Sequence, residues 1–88
     1  MSAADYLREK LQQLAPVQLD IKDDSAHHAG HAGAKSGGHY VVRIVSARFA
    51  GLGVMQRHRL VYDAAGDLMQ NGIHALSITA RTPEEMQA

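Results

Sequence analysis

Residues 71–80 read NGIHALSITA, and from Ile73 onward they alternate. Leu76, Ile78 and Ala80 fall on one side and Ala75, Ser77 and Thr79 on the other, the pattern of a strand with one buried face. By that parity His74 joins Leu76 and Ile78 on the apolar side. Asn71-Gly72 is turn chemistry placed directly before the strand. Upstream, VMQRHRLVYDAAGDLMQ (54–70) repeats with a helical period. Val54, His58, Val61, Ala65 and Leu68 share a helical face, and Gly66 predicts a break or bend. A helical run that turns straight into an alternating strand makes the fold mixed.

The flanking sequence extends this reading. YVVRIVSARF (40–49) is β-branched and apolar, as a central strand should be. VQLDI (17–21) predicts a shorter strand with Val17, Leu19 and Ile21 inward. Residues 2–14 carry Leu7, Leu11 and Leu14 at helical spacing, start at a Ser2/Asp5 cap and stop before Pro16. Thr82-Pro83-Glu84-Glu85 is a helix start, with threonine as cap, proline first and glutamate reaching back. The expected class is α+β: a three-stranded sheet covered by helices, with 1–88 forming one domain. Between the first two strands, at about 23–38, lies a histidine- and glycine-rich loop longer than a hairpin needs. Loops of that length are commonly functional or mobile.

Composition removes several classes of function. The chain has 88 residues and no cysteine, which excludes a disulfide framework, a thiol nucleophile and a thiolate metal site of its own. A domain this small buries only roughly 60–65% of its unfolded surface, too little for a deep enclosed cavity. No basic-then-apolar leader opens the chain, and no apolar run nears the roughly 18 residues of a membrane span. A cytoplasmic protein without membrane contact is the expectation. No Gly-x-Ser-x-Gly elbow or phosphate loop is present, so no enzyme is expected.

Net charge is zero, yet no Asp or Glu occurs between Ser25 and Tyr62. Lys35, Arg43, Arg48, Arg57 and Arg59 all fall there, a basic middle that suits either an anionic partner or a solvated face. Six histidines are many for 88 residues. His27, His28, His31 and His39 lie in or at the end of the long loop, where imidazoles are borderline-soft metal donors. The same loop also reads as a polar surface connection that happens to contain histidine. His58, on the apolar helix stripe, is expected to be structural: partly buried, hydrogen-bonded to backbone, with Arg57 and Arg59 outward. His74 opens a strand and can therefore sit at the sheet margin, one nitrogen satisfied internally and the other free for a ligand.

DDSAHHAGHAG (23–33), GGHYVVRIVSARFAGLGVMQRHRLVYDA (37–64) and IHALSITARTPEE (73–85) together resemble the BolA family over nearly the whole chain. The most specific pieces are RFAG…RHRLVY and IHALSI. Ala65 and Gly66 depart from the family pattern, in which a leucine is usual at position 65. The resemblance implies a class II KH-like fold, α-β-β-α-α-β-α. It also implies partnership with a monothiol glutaredoxin, the pair sharing a two-iron, two-sulfur cluster in iron–sulfur trafficking or iron sensing.

In such a pair, the histidine of the last strand corresponds to His74. The second donor corresponds to His28, to the additional His31, or to His39 at the loop exit. With no cysteine, this chain would supply only the histidine half, and the glutaredoxin cysteine and glutathione would supply thiolates. The isolated chain is then expected to be a monomer holding no cluster. The family's other tradition is DNA binding and transcriptional regulation tied to stress and cell shape. That alternative needs Arg43, Arg48, Arg57, Arg59 and Lys35 on one contiguous face.

Overall fold

The computed structural model describes residues 2–24 and 38–87, apart from the side chains of Asn71 and His74. Helix α1 (Ala3–Leu11) starts at a reciprocal cap. The Ser2 hydroxyl accepts from the Asp5 amide at 3.2 Å, and the Asp5 carboxylate accepts from the Ser2 amide at 3.0 Å. A single 3₁₀ turn, Gln12–Leu14, follows, and Ala15 ends it with φ of 48° before Pro16. Leu7, Leu11 and Leu14 are buried, as their spacing predicts.

Strand β1 (Gln18–Asp23) runs antiparallel to β2 (Gly38–Val45), and β2 runs parallel to β3 (Ile73–Arg81). The sheet order is β1-β2-β3, so the β-branched strand is central. Between β2 and β3 the chain passes through α2 (Val54–Ala65) and α3 (Leu68–Asn71), and α4 (Pro83–Gln87) follows β3. This is the expected α-β-β-α-α-β-α, class II KH-like order. The break in the helical run falls at Gly66, whose φ of 55° and ψ of −125° suit glycine and stop α2. The last helix starts as its sequence predicts: the Thr82 hydroxyl accepts from the Glu85 amide at 3.2 Å, and Glu85 accepts from the Thr82 amide at 2.8 Å.

The core lies between one sheet face and the helices. Tyr40, Val42 and Ile44 from β2 pack with Leu7, Leu11, Phe49, Val61 and Ala65. Ser46, fully buried, pins three segments together. Its hydroxyl donates to the Leu14 carbonyl and accepts from the Arg48 amide, while its own amide donates to the Arg81 carbonyl. Among the described residues no helical layer spans the opposite sheet face, and only α4 flanks it at one end, where Met86 shares a concavity with the buried Val45. The rungs of this face, read across β1, β2 and β3, are Lys22–Val41–Ser77, Asp20–Arg43–Thr79 and Gln18–Val45–Arg81.

Two apolar expectations fail at element ends. Val17 is 70% exposed and Val54 is 68% exposed. Val17 lies just outside β1, joined only by its amide to the Val45 carbonyl. Val54 is the first residue of α2, ahead of the turns that reach the core.

Candidate metal centre at one end of the sheet

Strands β2 and β3 start side by side because they are parallel. Gly38 pairs with Ile73, but the next rung joins His39 to Ala75. One step on β2 therefore spans two on β3, and His74 is the additional residue of this bulge. The bulge also breaks the parity read from the sequence: Ile73 and Leu76, three residues apart, are both buried, at 3% and 8% exposed. Alternation counted back from Leu76 thus does not carry to His74. The backbone register sets His39 and His74 beside each other at the opening of two adjacent strands, where bulges commonly re-aim a side chain. The side chain of His74 lies outside what the structure describes.

His39 is half-buried, and its Nε2 lies 3.2 Å from the Ser77 hydroxyl, one rung further along β3. Its carbonyl accepts from the Asp24 amide at 2.8 Å, closing the end of β1 against β2. The Gly38 amide donates to the Gly72 carbonyl at 3.3 Å, closing the other side. Asp24 and Gly38 thus both lie at this sheet end. They are the flanks of the segment bearing His27, His28, His31 and Lys35, which itself lies outside the described residues.

Beneath this end, on the core face, lies Tyr40. Burial pushes its hydroxyl above the ordinary phenol range, with the carboxylate of Asp23, its register partner, adding to the effect. The Tyr40 ring lies across Gly38: a Cβ added there would meet ring carbon Cε2 at 2.5 Å. Neither Ser77 nor the Gly38–Tyr40 packing is visible in local spacing, because each depends on strand register or ring direction.

Among the described residues no three His, Asp or Glu side chains gather as a self-sufficient metal site. The donor chemistry at this end is imidazole with no thiolate, since the chain has no cysteine. Two imidazoles suit one iron of a two-iron, two-sulfur cluster, the other iron being held by thiolates. By residue type, such donors would fit one iron of such a cluster and would leave the other iron's thiolates to come from outside this chain.

Among the described residues, Arg43, Arg48, Arg57 and Arg59 do not form the single face that DNA binding was expected to need. Arg57 is not an outward cation. Its side chain is 13% exposed and grips Glu85 with both terminal nitrogens, at 2.7 and 3.0 Å. It also donates to the Leu52 and Ala80 carbonyls, at 2.9 and 3.1 Å. This clamp ties α2 to β3 and α4, and it holds the Glu85 carboxyl down to about 2, with the Thr82 amide assisting.

Arg59 is exposed on the side of α2 turned from the core, whereas Arg43 is exposed on the uncovered sheet face, across the molecule. Arg48 is exposed in the 3₁₀ turn Ala47–Phe49 after β2. His58 is half-buried, as expected for a structural residue, and lines a groove with Arg57, Ile78 and Glu85. The expected hydrogen bond from His58 to backbone is absent among the described residues.

Residues 11–85 match the family described as BolA-like protein. The chain is 48% identical over 87 residues to Protein BOLA1, chloroplastic, of Arabidopsis thaliana, covering 93% of this chain and 54% of that protein. It is 45% identical to SufE-like protein 1, chloroplastic/mitochondrial, of the same plant, over 91% of this chain and 24% of that protein. Thus it spans a quarter to about half the length of these relatives. The solved BolA domain of that SufE1 superposes with a TM-score of 0.85 at 46% identity, covering 97% of this chain and 96% of that one. A Vibrio cholerae protein named DNA-binding transcriptional regulator BolA is 39% identical, over 94% of this chain and 77% of that protein. No helix among the described residues is long and apolar enough to cross a membrane.

Proposed function

The chain belongs to the BolA-like family, and from that premise we propose that it is a non-catalytic adaptor sharing a two-iron, two-sulfur cluster with a monothiol glutaredoxin. The observation that carries this reading is the adjacency of His39 and His74 at the start of two parallel strands. The flanks of a segment with three more histidines meet at the same place. His74 is held between two laddered neighbours, Ile73 and Ala75, and no other histidine lies near it in sequence to replace it. His39 is held by Ser77, and His28 or His31 supplies an alternative donor from a segment whose ends are fixed nearby. A histidine-only donor set cannot supply the thiolates that iron–sulfur clusters normally take. The glutaredoxin cysteine and glutathione provide them, in a reducing compartment that we place in the cytoplasm. The cluster, when bound, supplies a transferable and redox-active iron–sulfur unit.

The test is reconstitution of the chain with a monothiol glutaredoxin and glutathione, read by visible absorbance and circular dichroism. The expected result is a heterodimer whose spectrum differs from that of the glutaredoxin alone. His74→Ala should abolish that difference while the amide spectrum of the fold persists. His39→Ala and His28→Ala should each weaken or reshape it. A spectrum identical to that of glutaredoxin at saturating chain refutes the reading, and so does wild-type behaviour of His74→Ala.

The relative named as a DNA-binding regulator supports a second role in transcription. With Arg57 committed to its clamp, that role would fall to the exposed cations of the sheet face or of α2. Charge reversal at Arg59 tests the α2 route: weaker binding across all sequences, with a flatter salt dependence, supports it. Unchanged binding excludes that face.

A further inference from the structure

The uncovered sheet face holds a group of side chains that the histidine end does not use. On adjacent rungs lie Arg43, Thr79 and Arg81: Arg43 is directly opposite Thr79, and Arg81 stands two residues further along β3. Neighbouring strands lie about 4.8 Å apart and a two-residue step is about 6.7 Å, which puts the two arginine backbones about 8 Å apart. Two side chains as long as arginine close that distance onto one small anion. All three residues are exposed and line one concavity of about 370 Å³, walled by Gln18 and by Met86 of α4.

The electrostatics favour an anion there. Neither guanidinium forms an ion pair or hydrogen bond among the described residues. The one carboxylate lining the concavity, Glu85, is already consumed: it accepts two bonds from Arg57 and one from the Thr82 amide. Asp20, opposite Arg43 on β1, accepts from the side-chain Nε2 of Gln18 at 3.1 Å; it keeps its charge but forms no ion pair with Arg43. Two unsatisfied forks and a hydroxyl on adjacent rungs match the several acceptor oxygens of a phosphate group, which arginine binds bidentately.

We propose that Arg43, Thr79 and Arg81 form a phosphate-binding site on the open sheet face. The phosphate belongs either to a free phosphorylated ligand or to a nucleic-acid backbone. This site is separate from the histidine end and does not depend on the shared-cluster reading.

The test is a titration of the isotopically labelled chain with pyrophosphate at low salt, followed by amide and arginine side-chain resonances. Saturable shifts should centre on Arg43, Thr79 and Arg81. The Arg43→Gln, Arg81→Gln double variant should bind about tenfold or more weakly. Arg59→Gln, which removes an exposed charge on the far side of the molecule, should change nothing. All three positions are exposed, so the variants' amide spectra should stay native outside the site.

A second arm uses a short DNA duplex. If the backbone is the source, the double variant weakens duplex binding and lowers its log–log salt slope by about 0.9, the loss of one neutralised phosphate. If only pyrophosphate binding falls, the site serves a free ligand. Absence of saturable shifts at the three residues overturns the proposal. So does equal weakening of pyrophosphate binding by Arg59→Gln, which would mean diffuse charge attraction.

Discussion

Gly38 opens the strand that carries His39, and Gly38→Ala tests how tightly that end of the sheet is built. Its φ is not left-handed, so alanine is allowed on backbone grounds. The obstacle is Tyr40, whose Cε2, Cζ and hydroxyl oxygen would lie 2.5, 2.9 and 2.9 Å from the new Cβ. The ring must swing aside, yet Tyr40 is only 6% exposed and belongs to the core cluster. Overpacking of this kind costs about 2–3 kcal/mol. Against it, replacing glycine by alanine in a permitted conformation stabilises by about 0.4–1 kcal/mol through the unfolded chain. The net loss is about 1–2.6 kcal/mol, and at about 4–8 °C per kcal/mol the melting temperature should fall by about 4–20 °C.

A double-mutant cycle isolates the cause. In a Tyr40→Leu background the distal ring atoms are gone, so Gly38→Ala should become neutral or slightly stabilising, a coupling of about 2–3 kcal/mol. The assay is thermal and urea unfolding by circular dichroism, with a constant m-value confirming that the denatured state has not changed. Equal cost of Gly38→Ala in both backgrounds would show that the ring is not the obstacle. An unchanged wild-type melting temperature would refute the packing argument entirely.

Two further outcomes follow from the same geometry. Glu85 has its carboxyl lowered from 4.5 to about 2 by the Arg57 hydrogen bonds first and the Thr82 amide second. A depressed folded value contributes stability that is fully present above about 4.5 and is lost as pH falls toward about 2. Glu85→Gln should therefore flatten the pH dependence of melting within that window, leaving the contribution of Asp5, whose carboxyl is lowered by Ser2. An unaltered slope would mean that the clamp does not persist in solution. Ser46→Ala removes a buried hydroxyl that serves the Leu14 carbonyl and the Arg48 amide. It should cost about 1–3 kcal/mol of unfolding free energy, measured by urea midpoint; a loss below about 0.5 kcal/mol would mean that the site rehydrates.

Local pattern was sufficient where a feature depends on neighbours in the chain. The cap at Ser2, the stop at Gly66 and the Thr82–Glu85 box each involve residues within a few positions, and each forms as its chemistry requires. The spacing of Leu7, Leu11 and Leu14 likewise sufficed to place one side of the core. Pattern misled where an element ends, because Val17 and Val54 keep the period but lie beyond the reach of the packed layer. It misled again at Arg57: a cation between two helical neighbours reads as solvated, and its carboxylate partner is 28 positions away.

The candidate metal centre divides along the same line. A strand, a helical stretch of a dozen residues or more, and a second strand in the same sheet imply a crossover and hence parallel pairing. Parallel strands begin at the same end, so a histidine at the start of each is enough to bring His39 and His74 together. That much follows from the order of elements. The bulge does not, since it depends on how the Gly38–His39 step matches Ile73–Ala75, a relation between residues 35 apart that alternation within either strand leaves unspecified. The bulge, not the alternation of NGIHALSITA, therefore sets the backbone at His74: as the residue without a rung, it belongs to neither parity of the strand.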